Sequence, residues 1–290
     1  MRAVFPPPGV TFACRPGTLR RAICAGVLAV AAAGPAAPAE EPLWELGAGL
    51  GALSVPHYRG SDQRHDWLLP VPYFVYRGDF LRADREGARA VLLETDRFEL
   101  DLSLAASLPT HSDDDDARRG MDDLSPTVEL GPDLHWTLAR GAGWRLDLRA
   151  PVRAALTVES NPRAIGWTAT PHLRLDVVDL RGWKLGLQAG PVWGSRRYHE
   201  YFYGVGAADA TADRPAYDAP GGAGGGQALA TLSRRFQHFW AGTFLRYDTL
   251  HGAAFGDSPL LREREQLSFG IALTWVFARS GRLVSTDEPR

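Results

Sequence analysis

From residue 98 onward the chain alternates apolar and polar positions with a period of two. Phe98, Leu100, Leu102, Leu104, Ala106 and Leu108 share one parity, and Glu99, Asp101, Ser103, Ala105 and Ser107 the other. The next segment sets Leu124, Val128, Leu130, Leu134, Trp136 and Leu138 against Ser125, Thr127, Glu129, Asp133, His135 and Thr137. A third sets Trp144, Leu146, Leu148, Ala150, Val152, Ala154 and Leu156 against Arg145, Asp147, Arg149 and Arg153. The last runs Leu267, Phe269, Ile271, Leu273, Trp275, Phe277. Successive side chains of a strand point to opposite sides, so each segment has one apolar and one polar face.

Twelve strands are expected, near 43–54, 66–77, 79–85, 88–95, 97–108, 124–139, 143–157, 165–179, 182–194, 226–237, 239–250 and 263–277. Ten or fourteen are the alternatives, because Arg82-Ala83-Asp84-Arg85-Glu86 interrupts the apolar face of the third and fourth. Several of these strands are far longer than the roughly five or six residues usual in globular sheets. Arg140–Gly143 and Leu180–Gly182 are tight turns, whereas the alternate connections are long and polar. Short turns at one end, long loops at the other and aromatics at strand ends predict an all-β fold, a transmembrane antiparallel β-barrel. An even strand number returns both termini to the periplasmic side, and closure satisfies every backbone polar group within lipid. A lipocalin-like barrel is the soluble alternative; it would have to turn the apolar face of every strand inward.

Residues 1–39 have a different pattern. Arg15, Arg20 and Arg21 precede the apolar stretch Ala22–Ala33, and Ala37-Pro38-Ala39 places a cut before Glu40. This is the form of a cleaved export signal, leaving a barrel over 40–277 and a polar tail over 278–290. After residue 40 no run of eighteen apolar residues occurs, so no helical membrane span is expected. Both cysteines, Cys14 and Cys24, fall within the removed segment, which excludes disulfides and thiolate metal sites from the mature chain. Four arginines leave with it, so 32 basic and 34 acidic residues become 28 and 34, a net charge of −6. That balance argues against a nucleic-acid partner. As an outer-membrane barrel the chain is expected to contact outer-membrane lipid and lipopolysaccharide.

The chemistry lies on the inward parity: Glu45, Glu99, Asp101, Glu129, Asp133, Arg145, Asp147, Arg149, Arg153, Arg174, Asp176 and Lys184. One reading has Arg145, Arg149, Arg153 and Arg174 pairing across the lumen with Glu99, Asp101, Glu129 and Asp133, which fixes register and plugs the barrel. The other has them set up a transverse field that selects small ions. His135 and His172 also face inward as hydrogen-bonded interior residues, and no histidine pair has a metal-binding spacing. No Gly-x-Ser-x-Gly elbow is present, and neither a catalytic residue nor a cofactor is expected. Residues 196–225 read as a long outer loop, with Tyr198, Tyr201, Phe202 and Tyr203 folding over the mouth and Gly221–Gly226 as a flexible hinge. Asp113–Asp116 with Asp122 and Asp123 read as a solvated outer loop, with cation bridging to lipopolysaccharide phosphates as the alternative. Arg77-Gly78-Asp79 reads as a tight turn in which Gly78 supplies a positive φ.

Three blocks carry a family resemblance. Trp44–Gly49 followed by Pro56-His57-Tyr58-Arg59-Gly60-Ser61-Asp62, and then Leu69-Pro70-Val71-Pro72-Tyr73-Phe74 through Arg85, resemble the opening of the MipA/OmpV family of outer-membrane proteins. Asp113-Asp114, Ala117-Arg118, Gly120-Met121 and Leu124–Pro132 resemble the same family's third block. The resemblance implies a barrel without enzymatic activity. It also implies a scaffold that brings a lytic murein transglycosylase together with a bifunctional murein synthase. A narrow porin-like pore and a surface adhesin acting through 196–225 are the alternative functions. Members usually end at the aromatic residue of the last strand, and here Ala278–Arg290 continue beyond Phe277.

Overall fold

The computed structural model describes residues 39–84, 87–178 and 180–286; the export-signal reading therefore lies outside the described residues apart from Ala39. The strands are β1 (Ala39–Pro42), β2 (Trp44–Pro56), β3 (Arg64–Arg77), β4 (Leu81–Asp84), β5 (Gly87–Glu94), β6 (Phe98–Ala106), β7 (Thr127–Gly141) and β8 (Trp144–Thr157). They continue with β9 (Ala164–Ala169), β10 (His172–Val177), β11 (Lys184–Gly194), β12 (Gly222–Arg235), β13 (Phe239–Thr249), β14 (Glu265–Arg279) and β15 (Leu283–Thr286). A short α-helix, α1 (Arg196–Tyr203), follows β11, and a single 3-10 turn spans Ser112–Asp114 among the described residues.

The strands from β2 to β14 pair antiparallel in sequence order except β9 with β10, and β14 pairs back onto β2 from Phe269↔Ser54 to Arg279↔Glu45. The sheet is therefore a closed barrel. β9 and β10 are two halves of one wall strand, since β8 and β11 each pair with both. The break falls at Thr170-Pro171, where Pro171 has no N–H to give the ladder. Counted as one, they bring the wall to the expected twelve strands.

The two faces follow the sequence parity. On β14, Leu267, Phe269, Ile271, Leu273, Trp275 and Phe277 point outward, while Gln266, Ser268, Thr274 and Val276 are buried inside. Leu50, Leu102, Leu134, Val152, Leu173 and Leu245 continue the apolar exterior around the wall. A contiguous band of this kind requires an apolar surrounding. Aromatics flank it: Phe98 stacks on Trp136 at 5.6 Å at one rim, and Trp167, Trp193 and Tyr247 are exposed at the other.

Leu180 and Trp183 exchange backbone hydrogen bonds around Arg181 (φ 58°) and Gly182 (φ 84°). Two left-handed residues in a two-residue loop match the twist of the flanking strands. Gly78 differs from expectation, because it is absent from the positive-φ residues. It is needed for close approach instead: a Cβ there would lie 2.5 Å from the Tyr76 ring and 2.9 Å from the Leu81 carbonyl.

Two further expectations are corrected. Gly222–Gly226 is not a hinge but the start of β12, paired with β11 and β13. Gly225, at φ 84°, sits where any Cβ would collide with the Thr249 carbonyl, so the glycines serve tight strand packing. Nor is the tail free of the sheet. β14 continues through a bulge at Phe277 to pair Ala278 with Leu46 and Arg279 with Glu45, and β15 pairs with β1 from Leu283↔Pro42 to Thr286↔Ala39. Backbone bonds from Leu43 to Arg282 and from Ser280 to Trp44, both 2.9 Å, join the two pieces.

The wall is lowest at β4. Among the described residues β3 pairs with it only at Tyr76↔Ala83 and Arg77↔Arg82. Pro70 and Pro72 lie in the stretch above, on an edge where a missing N–H costs no ladder bond.

Candidate functional site

Inward side chains two residues apart on neighbouring strands form a continuous polar wall over β4 to β8. Arg149 Nη2 donates to Asp133 Oδ2 at 2.8 Å, Arg153 Nε donates to Ser103 Oγ at 2.9 Å, and Arg153 Nη2 lies 3.8 Å from Asp133. Arg82 bridges Glu94 at 2.7 Å and Glu99 at 3.2 Å, and Arg89 donates to Asp84 at 2.9 Å. His135 Nε2 lies 3.2 Å from both Asp101 Oδ2 and Asp133 Oδ2. Glu129 accepts from Thr168 and from the Tyr198 hydroxyl of α1, each at 3.2 Å.

These pairs run along the wall, not across the lumen as the sequence suggested. Arg145 pairs with Asp147 at 2.8 Å and Arg174 with Asp176 at 2.7 Å, each two residues along its own strand. Neither reaches Glu99, Asp101, Glu129 or Asp133, because neighbours on one face lie closer than residues across the barrel. Arg82 and Arg89, absent from the sequence-based set, complete the wall; they belong to the two short strands whose parity was least regular.

Contacts across the interior occur at the two ends. At the periplasmic base, Glu45 of β2 accepts from Arg77 of β3 at 3.1 Å and from Arg235 of β12 at 2.9 Å. Tyr73, Val75, Trp240 and Val276 pack beside them, with the Tyr73 and Trp240 rings 5.9 Å apart. This cluster links β12 and β13 to β2 and β3 across β14, on one side of the base.

At the outer mouth the loops build their own core. Ser195 caps α1 by accepting from the Tyr198 N–H, and the helix brings Tyr203 onto Phe255 with ring centroids 3.6 Å apart. Tyr58, Leu124, Ala219 and Leu250 close the cluster. The Tyr58 hydroxyl donates to the Leu260 carbonyl at 2.7 Å, and burial drives its pKa well above the usual phenol range. Burial likewise pushes the Tyr203 pKa up to about 12 and that of Tyr198 well above 10. Asp115, expected in a solvated acidic run, is fully buried and accepts from Ser61 at 2.6 Å and His57 at 3.0 Å. Arg118 is also buried, with its guanidinium spread over Ser112, Phe202 and Asp122, and burial lowers its pKa. Below the mouth, Asp248 holds Arg59 of the first loop at 2.9 Å and Arg246 of its own strand at 2.7 Å. The expected folding of the Tyr198–Tyr203 aromatics over the mouth is seen, and its vehicle is a helix.

Comparison with known proteins adds the family. Among solved structures the chain is similar to the NanC porin, at 7% identity over 79% of this chain and 98% of that one, with a TM-score of 0.37. It is also similar to outer membrane phospholipase A from Escherichia coli, at 12% identity over 81% and 91%, with a TM-score of 0.33. A monoaromatic hydrocarbon channel, CymD, is similar at 8% identity over 84% and 68%, with a TM-score of 0.24. No curated protein matches the chain. The family model described as MltA-interacting protein MipA matches residues 48–277, which takes in every wall strand from mid-β2 to Phe277 of β14. The chain is an outer-membrane β-barrel and belongs to the MipA family.

Proposed function

We propose that this barrel is a closed scaffold of the outer membrane, exported by a cleaved signal over residues 1–39, which binds cell-wall enzymes from its periplasmic side. The observation that supports this reading most is the filling of the lumen. A loop core occupies the mouth, a charged wall lines the middle, and the Glu45–Arg77–Arg235 and Tyr73–Trp240 cluster bridges one side of the base. A barrel with a loop core at its mouth and side chains bridging one side of its base is poorly suited to solute passage, whereas its periplasmic turns and the β1–β15 ribbon offer backbone edges to a partner. The family name speaks of interaction with MltA, and the partner class proposed here is a lytic transglycosylase with a murein synthase. The role is binding, not catalysis, and the lumenal charges Glu99, Asp101, Glu129, Asp133, Arg145, Arg149, Arg153 and Arg174 are structural within it.

Cross-linking in intact periplasm, with a photoreactive residue placed at Ala142 in the β7–β8 turn or at Val284 in β15, tests the proposal. Recovery of murein hydrolase and synthase supports it. Recovery of neither, together with a large ion current in planar bilayers, would replace it with the pore reading.

A further inference from the structure

We propose that the barrel wall holds a divalent metal ion of the zinc class, bound by His135, Asp101 and Glu99, with Asp133 as a fourth donor. The inference is independent of the scaffold reading.

The donors come from two adjacent strands in register, Glu99 opposite His135 and Asp101 opposite Asp133. All four side chains share the inward parity, so they form a compact square. Donor atoms of Glu99, Asp101 and His135 lie within 4.8 Å of one another. The distance from His135 Nε2 to Asp101 Oδ2 is 3.2 Å, and to Asp133 Oδ2 it is the same. Two ligands bound to one zinc ion at about 2.0–2.2 Å stand at such a separation, about 3.0–3.5 Å.

A second observation points to a ligand. Asp101 is fully buried, yet neither of its carboxylate oxygens has a hydrogen-bond partner. Glu99 Oε1, Asp133 Oδ1 and His135 Nε2 are buried without one as well. Buried polar atoms are nearly always satisfied, and the unsatisfied Asp101 Oδ2 and His135 Nε2 face each other at 3.2 Å. Arg89 Nε is the competing cation, but at 3.7 Å from Glu99 Oε1 and 3.8 Å from Asp101 Oδ2 it is outside hydrogen-bond range.

One imidazole with carboxylates suits a borderline ion, not calcium or magnesium, which prefer all-oxygen sites. Spacing rules along a single segment do not find this site, since its ligands are i and i+2 on two strands.

The test uses the full barrel, extracted in detergent, stripped with chelator and titrated with zinc chloride by calorimetry. Metal content is read by mass spectrometry, and cobalt(II) serves as a spectroscopic probe. The expected result is one zinc per chain, weakened more than about tenfold by His135→Gln or Asp101→Asn while the heat-modifiable barrel band persists. Glu99→Gln alters a partly exposed ligand and decides the matter if the buried variants fail to assemble. Absence of stoichiometric zinc from the wild type would overturn the proposal. Unchanged affinity in Glu99→Gln and His135→Gln would overturn it equally.

Discussion

Ile271 points outward from the middle of β14, and Gln227 points inward on β12 opposite the buried Asp248. An arginine at a lipid-facing mid-strand position costs about 2–4 kcal/mol. Ile271→Arg is therefore expected to block assembly, and Gln227→Arg, placed beside a carboxylate, to be tolerated. Heat-modifiable mobility on gels distinguishes them, and equal yields would contradict the assignment of faces. A second residue-scale prediction concerns pH. His199 of α1 is buried, donates Nδ1–H to the Pro220 carbonyl at 2.7 Å and stacks edge-on against Phe255. Burial lowers its pKa below the ordinary 6.5, with Arg59 adding to the shift. A folded-state pKa below the unfolded one makes the helix most stable above about pH 6.5, with stability lost as pH falls through that value. Exposed His111, raised by its bond to Asp123, acts in the opposite sense but packs against nothing in α1. Hydrogen exchange of the α1 amides should accelerate at pH 5 relative to pH 7.5, and His199→Gln should remove most of that dependence.

At the scale of elements, the C-terminal tail separates into two structural parts. Residues 278–279 extend the barrel seam, and 283–286 form the outer half of the β1–β15 ribbon. Removing 283–290 is expected to leave a membrane-inserted barrel with little loss of stability, since the ribbon lies outside the closed sheet. Removing 278–290 deletes seam pairs beside Glu45 and the Ser280-to-Trp44 bond as well. With each net backbone hydrogen bond worth about 1 kcal/mol, the longer truncation should lower the urea midpoint measurably below the shorter one. Identical midpoints would mean that the seam ends at the bulge. These contacts were not legible beforehand because β1 and β15 are only four residues each and lie outside the alternating segments of the wall.

For the molecule as a whole, the decisive quantity is ion current. On the proposed closed reading, the loop core at the mouth and the charged, aromatic cluster at the base both narrow the path, so opening one end alone should have little effect. Wild-type protein in planar bilayers should show little conductance, and Arg149→Ala with Arg153→Ala should change it little, because those residues line one wall. Replacing 196–220 by a short Gly/Ser linker should also have a small effect. Combining that replacement with Tyr73→Ala and Trp240→Ala should raise the current sharply. A large current through the unmodified protein would overturn the closed reading.

The sequence by itself pointed to a barrel of about twelve strands, with ten or fourteen as alternatives, and to the face of the residues outside the two short strands β4 and β5. A period of two repeated over long segments is a local property, and a side chain's parity does not depend on what it meets. Twelve segments, tight turns at one end and a band of outward leucines admitted few other architectures. Tertiary structure alone decided the partners. Which acid Arg145 or Arg174 holds, that Asp115 turns into the mouth, and that Glu99, Asp101, Asp133 and His135 meet in one square all depend on strand register. Register is set jointly by bulges, turns and closure around the whole ring, which no single segment encodes.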